Sequence, residues 1–172
     1  RMSGVTTYIE PFELEAPLEG AAVGEVIESR DDRFQVGDKV SHMGGWRDVA
    51  QLPADGVTAL PDLDVPEQAY LGVLGMPGMT AWTGLNAIAE MQQGDNVLVS
   101  AASGAVGSLA VQLAKAKGGV VVGLAGSQKK RDWLESQGVI AVDYRDKDAA
   151  TLSEDLAKAC PDGFDVYYEN VG

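Results

Sequence analysis

From Asp95 onward, short apolar runs alternate with helix-length stretches in which apolar residues recur with a helical period. Nearly continuous apolar runs separated by such stretches predict a parallel β-sheet covered by helices on both faces. The predicted strands are residues 96–100, 120–124, 139–142 and 164–168. The predicted helices are residues 104–117, 128–137 and, approximately, 149–160.

Residues 1–60 show a different pattern, in which glycine, proline and charged residues separate short apolar runs without a sustained helical period. This pattern predicts small β structure, and such meanders close into barrels more often than they form lone sheets. A proline-containing connector at 61–66 leads to a helix over about 79–91, and glycine and proline interrupt the chain just before that helix. The predicted strands are residues 22–29, 39–43, 48–52 and 57–60.

The predicted fold class is α/β, with a partial β-barrel followed by the first part of a Rossmann fold in strand order 3-2-1-4. The predicted division is 1–66 for the partial barrel, 67–94 for connecting helices and 95–172 for the incomplete Rossmann domain. In that order the fourth strand keeps an open edge, which natural sheets avoid, and a complete dinucleotide fold has two further strands. We therefore expect the sequence to be a segment of a longer protein.

The chemistry of the chain centres on residues 97–107, where an apolar strand breaks into a glycine-spaced turn and then a helix. In the dinucleotide fingerprint G-x-G-x-x-G, glycines allow the tight turn, the approach of a pyrophosphate and the packing of helix on strand. These three positions hold Ala102, Gly104 and Gly107. Two of three glycines make a weak match, which the strand–turn–helix context strengthens. The alternative is that these glycines only allow the helix to pack on the strand and bind no phosphate.

The end of the second Rossmann strand indicates which nucleotide binds. NAD-binding domains carry an Asp or Glu there, which accepts hydrogen bonds from the ribose hydroxyl. This chain has no carboxylate at 125–130, whereas Ser127 and Lys130 can donate hydrogen bonds to a phosphate. The pattern favours NADPH over NADH; the alternative is that Lys129, Lys130 and Arg131 only form a solvated helix start.

Asn170 and Gly172 follow the fourth strand. Ligands of open α/β sheets bind where the strand order reverses, which here lies between the first and fourth strands. We therefore expect these residues to lie across the cleft from Gly104, with Asn170 near the nicotinamide half of the cofactor. The alternative for Asn170 is a turn-forming residue before glycine.

Composition narrows the classes of function. A net charge of −13, from 26 acidic and 13 basic residues, gives no support to nucleic-acid binding. No apolar run approaches the ~20 residues that span a bilayer. One cysteine and one histidine can form neither an internal disulfide nor the usual Cys/His zinc site, and a lone cysteine fits a reducing compartment.

Taken together, the sequence resembles the zinc-independent medium-chain dehydrogenase/reductases over its whole length. The similar branch contains the prostaglandin reductases (leukotriene B4 12-hydroxydehydrogenases), plant alkenal double-bond reductases and bacterial curcumin reductases. The most specific match is Gly-Met-Pro-Gly-Met-Thr-Ala at 75–81, although Trp82 stands where relatives often carry Tyr. The other matching segments are residues 1–3, 23–26, 36–38, 101–107, 126–127 and 170–172.

The resemblance implies a GroES-like partial barrel and a Rossmann domain in a cytoplasmic homodimer. It also implies NADPH-dependent reduction of the carbon–carbon double bond of enones and alkenals, with hydride going to the β-carbon and a proton to the α-carbon. Lys130 would hold the 2′-phosphate and Tyr144 would lie by the adenosine end, but no catalytic acid can be named within the chain. The residues assigned to cofactor binding are Met79, Thr80, Ser103, Gly104, Ala105, Val106, Gly107, Gly126, Ser127, Lys130, Tyr144, Asn170 and Gly172. Quinone reduction, or an inactive truncated nucleotide-binding module, remains the alternative.

Overall fold

The computed structural model describes residues 11–171, and the chain forms two compact units, Arg1–Leu71 and Gly72–Gly172. In the N-terminal unit three antiparallel strands pair in chain order, with Gly24 opposite Val40 and Ser41 opposite Thr58. The strands are β1 (Ala22–Glu25), β2 (Lys39–His42) and β3 (Val57–Ala59). Short 3₁₀ turns occur at Ala54–Gly56 and Glu67–Leu71.

The strand predicted at 48–52 is wrong, because these residues are irregular. Just before them, Gly45 adopts a φ of 71° and the N–H of Trp46 donates to the carbonyl of Leu18 at 2.9 Å. This turn takes the backbone away from β2, and Val49 is left 67% exposed. Alternating apolar residues therefore did not predict pairing here, since a left-handed glycine redirected the chain.

The C-terminal unit contains a four-stranded parallel sheet with the order β6-β5-β4-β7. This order is the predicted 3-2-1-4 arrangement, and the predicted α/β fold class is confirmed. Its strands are β4 (Asn96–Val99), β5 (Val120–Leu124), β6 (Ile140–Val142) and β7 (Val166–Tyr168). The helices between them are α2 (Ala105–Ala116), α3 (Gln128–Ser136) and α4 (Ala149–Ala159).

Apolar side chains cover both faces of this sheet. Val97 and Val99 of β4 belong to a cluster that includes residues of α2 and α3, whereas Leu98 belongs to a second cluster with residues of α4. Alternate residues of one strand therefore enter cores on opposite faces, as expected for a parallel sheet between two helical layers.

Helix α1 (Met76–Thr83) precedes this sheet and continues into a π-helical turn at Gly84–Ile88. The predicted interruption before residue 79 is wrong, because Pro77 lies within the first turn of the helix, where a missing N–H costs nothing. Residue 78 in the same turn has no room for a side chain, because a Cβ there would overlap the carbonyl of Val73, and glycine avoids this overlap. The predicted end near 91 is also too late.

Candidate cofactor site

The turn after β4 is compact and strained. Ala101 adopts a φ of 42°, a left-handed conformation that is rare for a residue with a Cβ. Its carbonyl accepts a 2.8 Å hydrogen bond from the N–H of Gly104. Gly107 is buried against this turn, since an added Cβ would overlap the carbonyl oxygen of Ala101 and lie 2.9 Å from Cα of Ala102. Gly107 thus allows the helix to pack on the turn, as the fingerprint requires.

Ala102 occupies the first glycine position of the fingerprint without disturbing it. The residue is fully buried, and its N–H donates to the carbonyl of Leu124 at 3.1 Å. An added Cβ on Gly123 of β5 would lie 2.8 Å from the Cβ of Ala102. The neighbouring strand therefore provides the space that glycine would otherwise leave in the turn. Sequence reasoning missed Ala101 and Gly123, because φ and cross-strand contacts are not visible in the motif.

Two helix N-termini at the carboxyl edge of the sheet lack side-chain caps. Gly104 and Ser127, the N-cap residues of α2 and α3, make no capping hydrogen bond, whereas Asp148 of α4 accepts one from the N–H of Thr151 at 2.8 Å. In α2 the first helical bond runs from the N–H of Ser108 to the carbonyl of Gly104. The preceding N–H groups therefore lack intrahelical acceptors and suit an anionic group. This arrangement fits a pyrophosphate at α2.

The three basic residues at the start of α3, Lys129, Lys130 and Arg131, do not share the same surroundings. The guanidinium of Arg131 pairs with Asp143 at 2.6 Å and is only 17% exposed. Arg131 is therefore not part of the solvated helix start that the charge pattern suggested. Lys130 is exposed, and no ion pair among residues 11–171 involves it. Lys129 is likewise exposed and outside these ion pairs, so both lysines are free to meet an anion near Ser127.

The segment after β6 completes this side of the site. A Cβ on Gly126 would lie 3.2 Å from Cζ and Oη of Tyr144, so the glycine allows the tyrosine ring to approach the end of β5. Tyr144 is 50% exposed and keeps surface available to a ligand. The backbone N–H of Arg145 and, after it, the charge of Arg131 hold the pKa of Asp143 below its usual value. Asp143 therefore stays ionised and keeps Arg131 paired at the end of β6.

On the other side of β4, the structure brings Asn170 to the point where strand order reverses. The β4–β7 ladder ends at Val99 opposite Tyr168, and the N–H of Ser100 then donates to the carbonyl of Tyr168 at 3.1 Å. Nδ2 of Asn170 donates to the carbonyl of Ser100 at 2.9 Å. The prediction that Asn170 lies at the switch point agrees with this geometry, whereas Gly172 lies outside the described residues.

Met79 and Thr80 are exposed on α1, where they line an open groove of about 510 Å³ with Glu169 and the end of β7. The hydroxyl of Tyr168 donates to the carbonyl of Thr80 at 2.8 Å, and burial raises the pKa of this hydroxyl. A Cβ on Gly84 would overlap the Tyr168 ring, so glycine permits this contact. The predicted site residues therefore form three sets: the turn after β4, the end of β5 with Tyr144, and α1 with the ends of β4 and β7.

Among the described residues, no group of three or more His, Cys, Asp or Glu side chains is arranged to hold a metal ion. Within the same residues, no helix combines the length and apolar character that crossing a bilayer requires.

A four-stranded parallel sheet in this order, with a glycine turn leading from β4 to an uncapped helix, defines a dinucleotide-binding Rossmann domain. Comparison with known proteins agrees. Residues 1–60 match a family described as "N-terminal domain of oxidoreductase", and residues 105–172 match one described as "Zinc-binding dehydrogenase". The chain belongs to the medium-chain dehydrogenase/reductases, in the branch of the alkenal, curcumin and prostaglandin reductases.

Similar proteins include a 2-alkenal reductase (NADP(+)-dependent) of Nicotiana tabacum, 44% identical over 96% of this chain and 49% of the relative. An NADPH-dependent curcumin reductase of Escherichia coli (strain K12) is 41% identical over 100% of this chain and 50% of the length of the reductase. The crystal structure of CurA from Vibrio vulnificus in complex with NADPH superposes with a TM-score of 0.85 at 37% identity, covering 99% of this chain and 50% of that one. The chain thus spans about half the length of the relatives it matches.

Proposed function

We propose that the full-length protein uses NADPH to reduce the carbon–carbon double bond of α,β-unsaturated aldehydes and ketones. The observation that carries this proposal is the uncapped N-terminus of α2 together with that of α3, which bears the exposed Lys130, with no carboxylate at residues 125–130. The activities by which the similar alkenal and curcumin reductases are named support the substrate class.

Each set of residues would hold a different part of the cofactor. The N–H groups of Ser103 and of Ala105 to Gly107 would bind the pyrophosphate at the start of α2, while the N–H of Gly104 stays bonded to the carbonyl of Ala101. Ser127 and Lys130 would hold the 2′-phosphate, because a hydroxyl and an ammonium donate hydrogen bonds to its oxygens. Tyr144 would cover the adenosine end above Gly126.

The remaining residues would hold the nicotinamide half, with Asn170 and Gly172 on one side and Met79 and Thr80 on the other. The bound cofactor supplies the hydride that goes to the β-carbon of the substrate, and a proton is added at the α-carbon. The side chains assigned here bind and orient the cofactor, and none of them is assigned as the proton donor.

We further propose that the full-length protein acts without zinc, as a cytoplasmic homodimer with small-molecule substrates. Within the residues of this chain, one cysteine and one histidine are too few for a usual Cys/His zinc site, which is consistent with the first part. The dimer, the location and the division at residues 66 and 94 rest on the resemblance and the sequence pattern.

Lys130→Ala in the full-length protein tests the cofactor assignment, with the neighbouring Lys129→Ala as the matched control. We expect Lys130→Ala to raise KM for NADPH about tenfold or more, since a charge-assisted hydrogen bond to phosphate is lost, and to leave KM for NADH unchanged. Lys129→Ala should change neither constant more than about twofold, as is usual for an exposed side chain.

Steady-state oxidation of NADPH with a 2-alkenal, and with a quinone in parallel, provides the measurement. Equal losses with NADPH and NADH in Lys130→Ala would contradict the 2′-phosphate assignment. Turnover of quinones without turnover of enones would show instead that the protein is a quinone reductase. Absence of NADPH binding by the full-length wild type would overturn the proposal as a whole.

A further inference from the structure

Ser100 follows β4 directly and is 4% exposed. Among the residues that the structure describes, it is the one polar or charged residue that is fully buried. A buried hydroxyl has to be satisfied by hydrogen bonds, so its partners determine what it does. All of the partners described for Ser100 lie in and just after β7.

The hydroxyl of Ser100 connects two consecutive residues beyond β7. Its Oγ donates to Oε1 of Glu169 at 2.8 Å and accepts from the backbone N–H of Asn170 at 2.7 Å. The backbone carbonyl of Ser100 accepts from Nδ2 of Asn170 at 2.9 Å. Asn170 is therefore held to Ser100 at both its main chain and its side chain, beyond the last pair of the β4–β7 ladder.

This arrangement orients the side-chain amide of Asn170. Nδ2 is engaged by Ser100, whereas no donor within residues 11–171 is bonded to Oδ1 of Asn170. The residue thus presents a hydrogen-bond acceptor at the switch point of the sheet. The group it suits is an N–H or O–H donor, such as a carboxamide or a ribose hydroxyl.

We propose that Ser100 is a positioning residue that orients Asn170, so that Oδ1 accepts a hydrogen bond from the nicotinamide half of NADPH. This inference rests on the proposed function. Ser100 does not itself touch the cofactor and acts through its three bonds to Glu169 and Asn170. A purely structural role for Ser100 would instead satisfy the buried hydroxyl with no effect on the cofactor.

The test compares Ser100→Ala, Asn170→Ala and the double variant in the full-length protein. We expect each single variant to raise the NADPH dissociation constant about fivefold to tenfold, the size of one lost hydrogen bond, and the double variant to be no weaker than the weaker single. As the control, Ser136→Ala removes a serine hydroxyl that is bonded to the carbonyl of Trp133 in α3, and it should leave the NADPH dissociation constant unchanged. Fluorescence titration measures binding.

Amide hydrogen exchange in the cofactor-free protein gives a second readout. Exchange at the N–H of Asn170 should accelerate in Ser100→Ala, because this N–H loses its acceptor. Ser100→Thr keeps the hydroxyl and should retain wild-type exchange and NADPH affinity within about threefold.

The positioning role would be overturned if the double variant lost NADPH affinity by the product of the two single losses, or if Ser100→Ala kept the wild-type affinity. Either result would leave the proposed function intact. If the full-length wild type fails to bind NADPH, both fall together. A loss in Ser100→Ala that Ser100→Thr does not restore would likewise show that the hydroxyl is not responsible.

Discussion

In the C-terminal unit, apolar side chains pack on both faces of the sheet, whereas Val40 is the single fully buried apolar residue in the described part of the N-terminal unit. The N-terminal unit instead carries surface ion pairs, including Arg33 with Asp31 and Asp55 and Lys39 with Glu25. Exposed pairs of this kind stabilise a fold weakly. The site lies in the unit with the larger buried core, and its turn is tightly packed at Gly107 and Gly123, which makes that turn sensitive to single substitutions.

The largest expected effect is that of Gly107→Ala. The new Cβ would overlap the carbonyl of Ala101 in a turn that cannot move without displacing α2 from β4. We expect a loss of about 3 kcal/mol in the free energy of unfolding, at the upper end for overpacking, together with loss of NADPH binding. Denaturant unfolding and NADPH titration measure the two effects.

Gly20→Ala in the N-terminal unit provides the matched control, because nothing lies within 4 Å of the Cβ it would add. It should change the unfolding free energy by no more than about 0.5 kcal/mol. Equal losses from the two glycines would show that backbone packing does not distinguish the units in this way.

The next effect compares the same truncation in both sheets. Val97→Ala and Val40→Ala each remove two methyl groups, worth about 1.6 kcal/mol in transfer free energy. Val97 is fully buried inside the larger apolar cluster, so a cavity adds to the cost and we expect about 2–3 kcal/mol. Val40→Ala should cost less. Denaturant unfolding provides the comparison, and a larger loss at Val40 would reverse the contrast between the units.

The smallest effect concerns pH and the N-terminal unit. The hydrogen bond from the Arg33 side chain lowers the pKa of Asp31 from 3.8 to about 2. Because the carboxyl has a lower pKa in the folded state, its contribution is present above pH 3.8 and is lost as the pH falls toward 2. Asp31→Asn should therefore flatten the decline in stability over this range, whereas the neighbouring Asp32→Asn should leave it unchanged. Thermal unfolding between pH 5 and pH 2 measures both, and identical profiles for the two variants would refute the assignment.

The units also differ in how far the sequence predicted them. The strands and helices after residue 95 follow from apolar runs that are buried on both sides, and their order follows from the rules for parallel sheets. The strand predicted at 48–52 was wrong because the left-handed conformation of Gly45 redirects the chain, which alternating apolar residues do not reveal. Periodicity therefore predicted structure well where burial dictates it.

For the site, the motif predicted the turn and the exposed Lys130, since glycine spacing and charge are visible in the sequence. It did not reveal the strained Ala101, the compensating Gly123, the inward Arg131 or the buried Ser100. Each of these depends on a neighbour far along the chain or on a backbone angle, so no local pattern contains it. The cofactor roles of the individual residues stay predictions.

The contact between Tyr168 and α1 has a mechanical consequence. The Tyr168 hydroxyl bonds the carbonyl of Thr80, and the tyrosine ring occupies the space that a side chain at Gly84 would fill. Helix α1 is thus connected by this hydrogen bond to the end of β7, two residues before Asn170. A shift of β7 therefore also displaces the bond to Thr80, so we expect the two sides of the groove to shift together when a ligand binds between them.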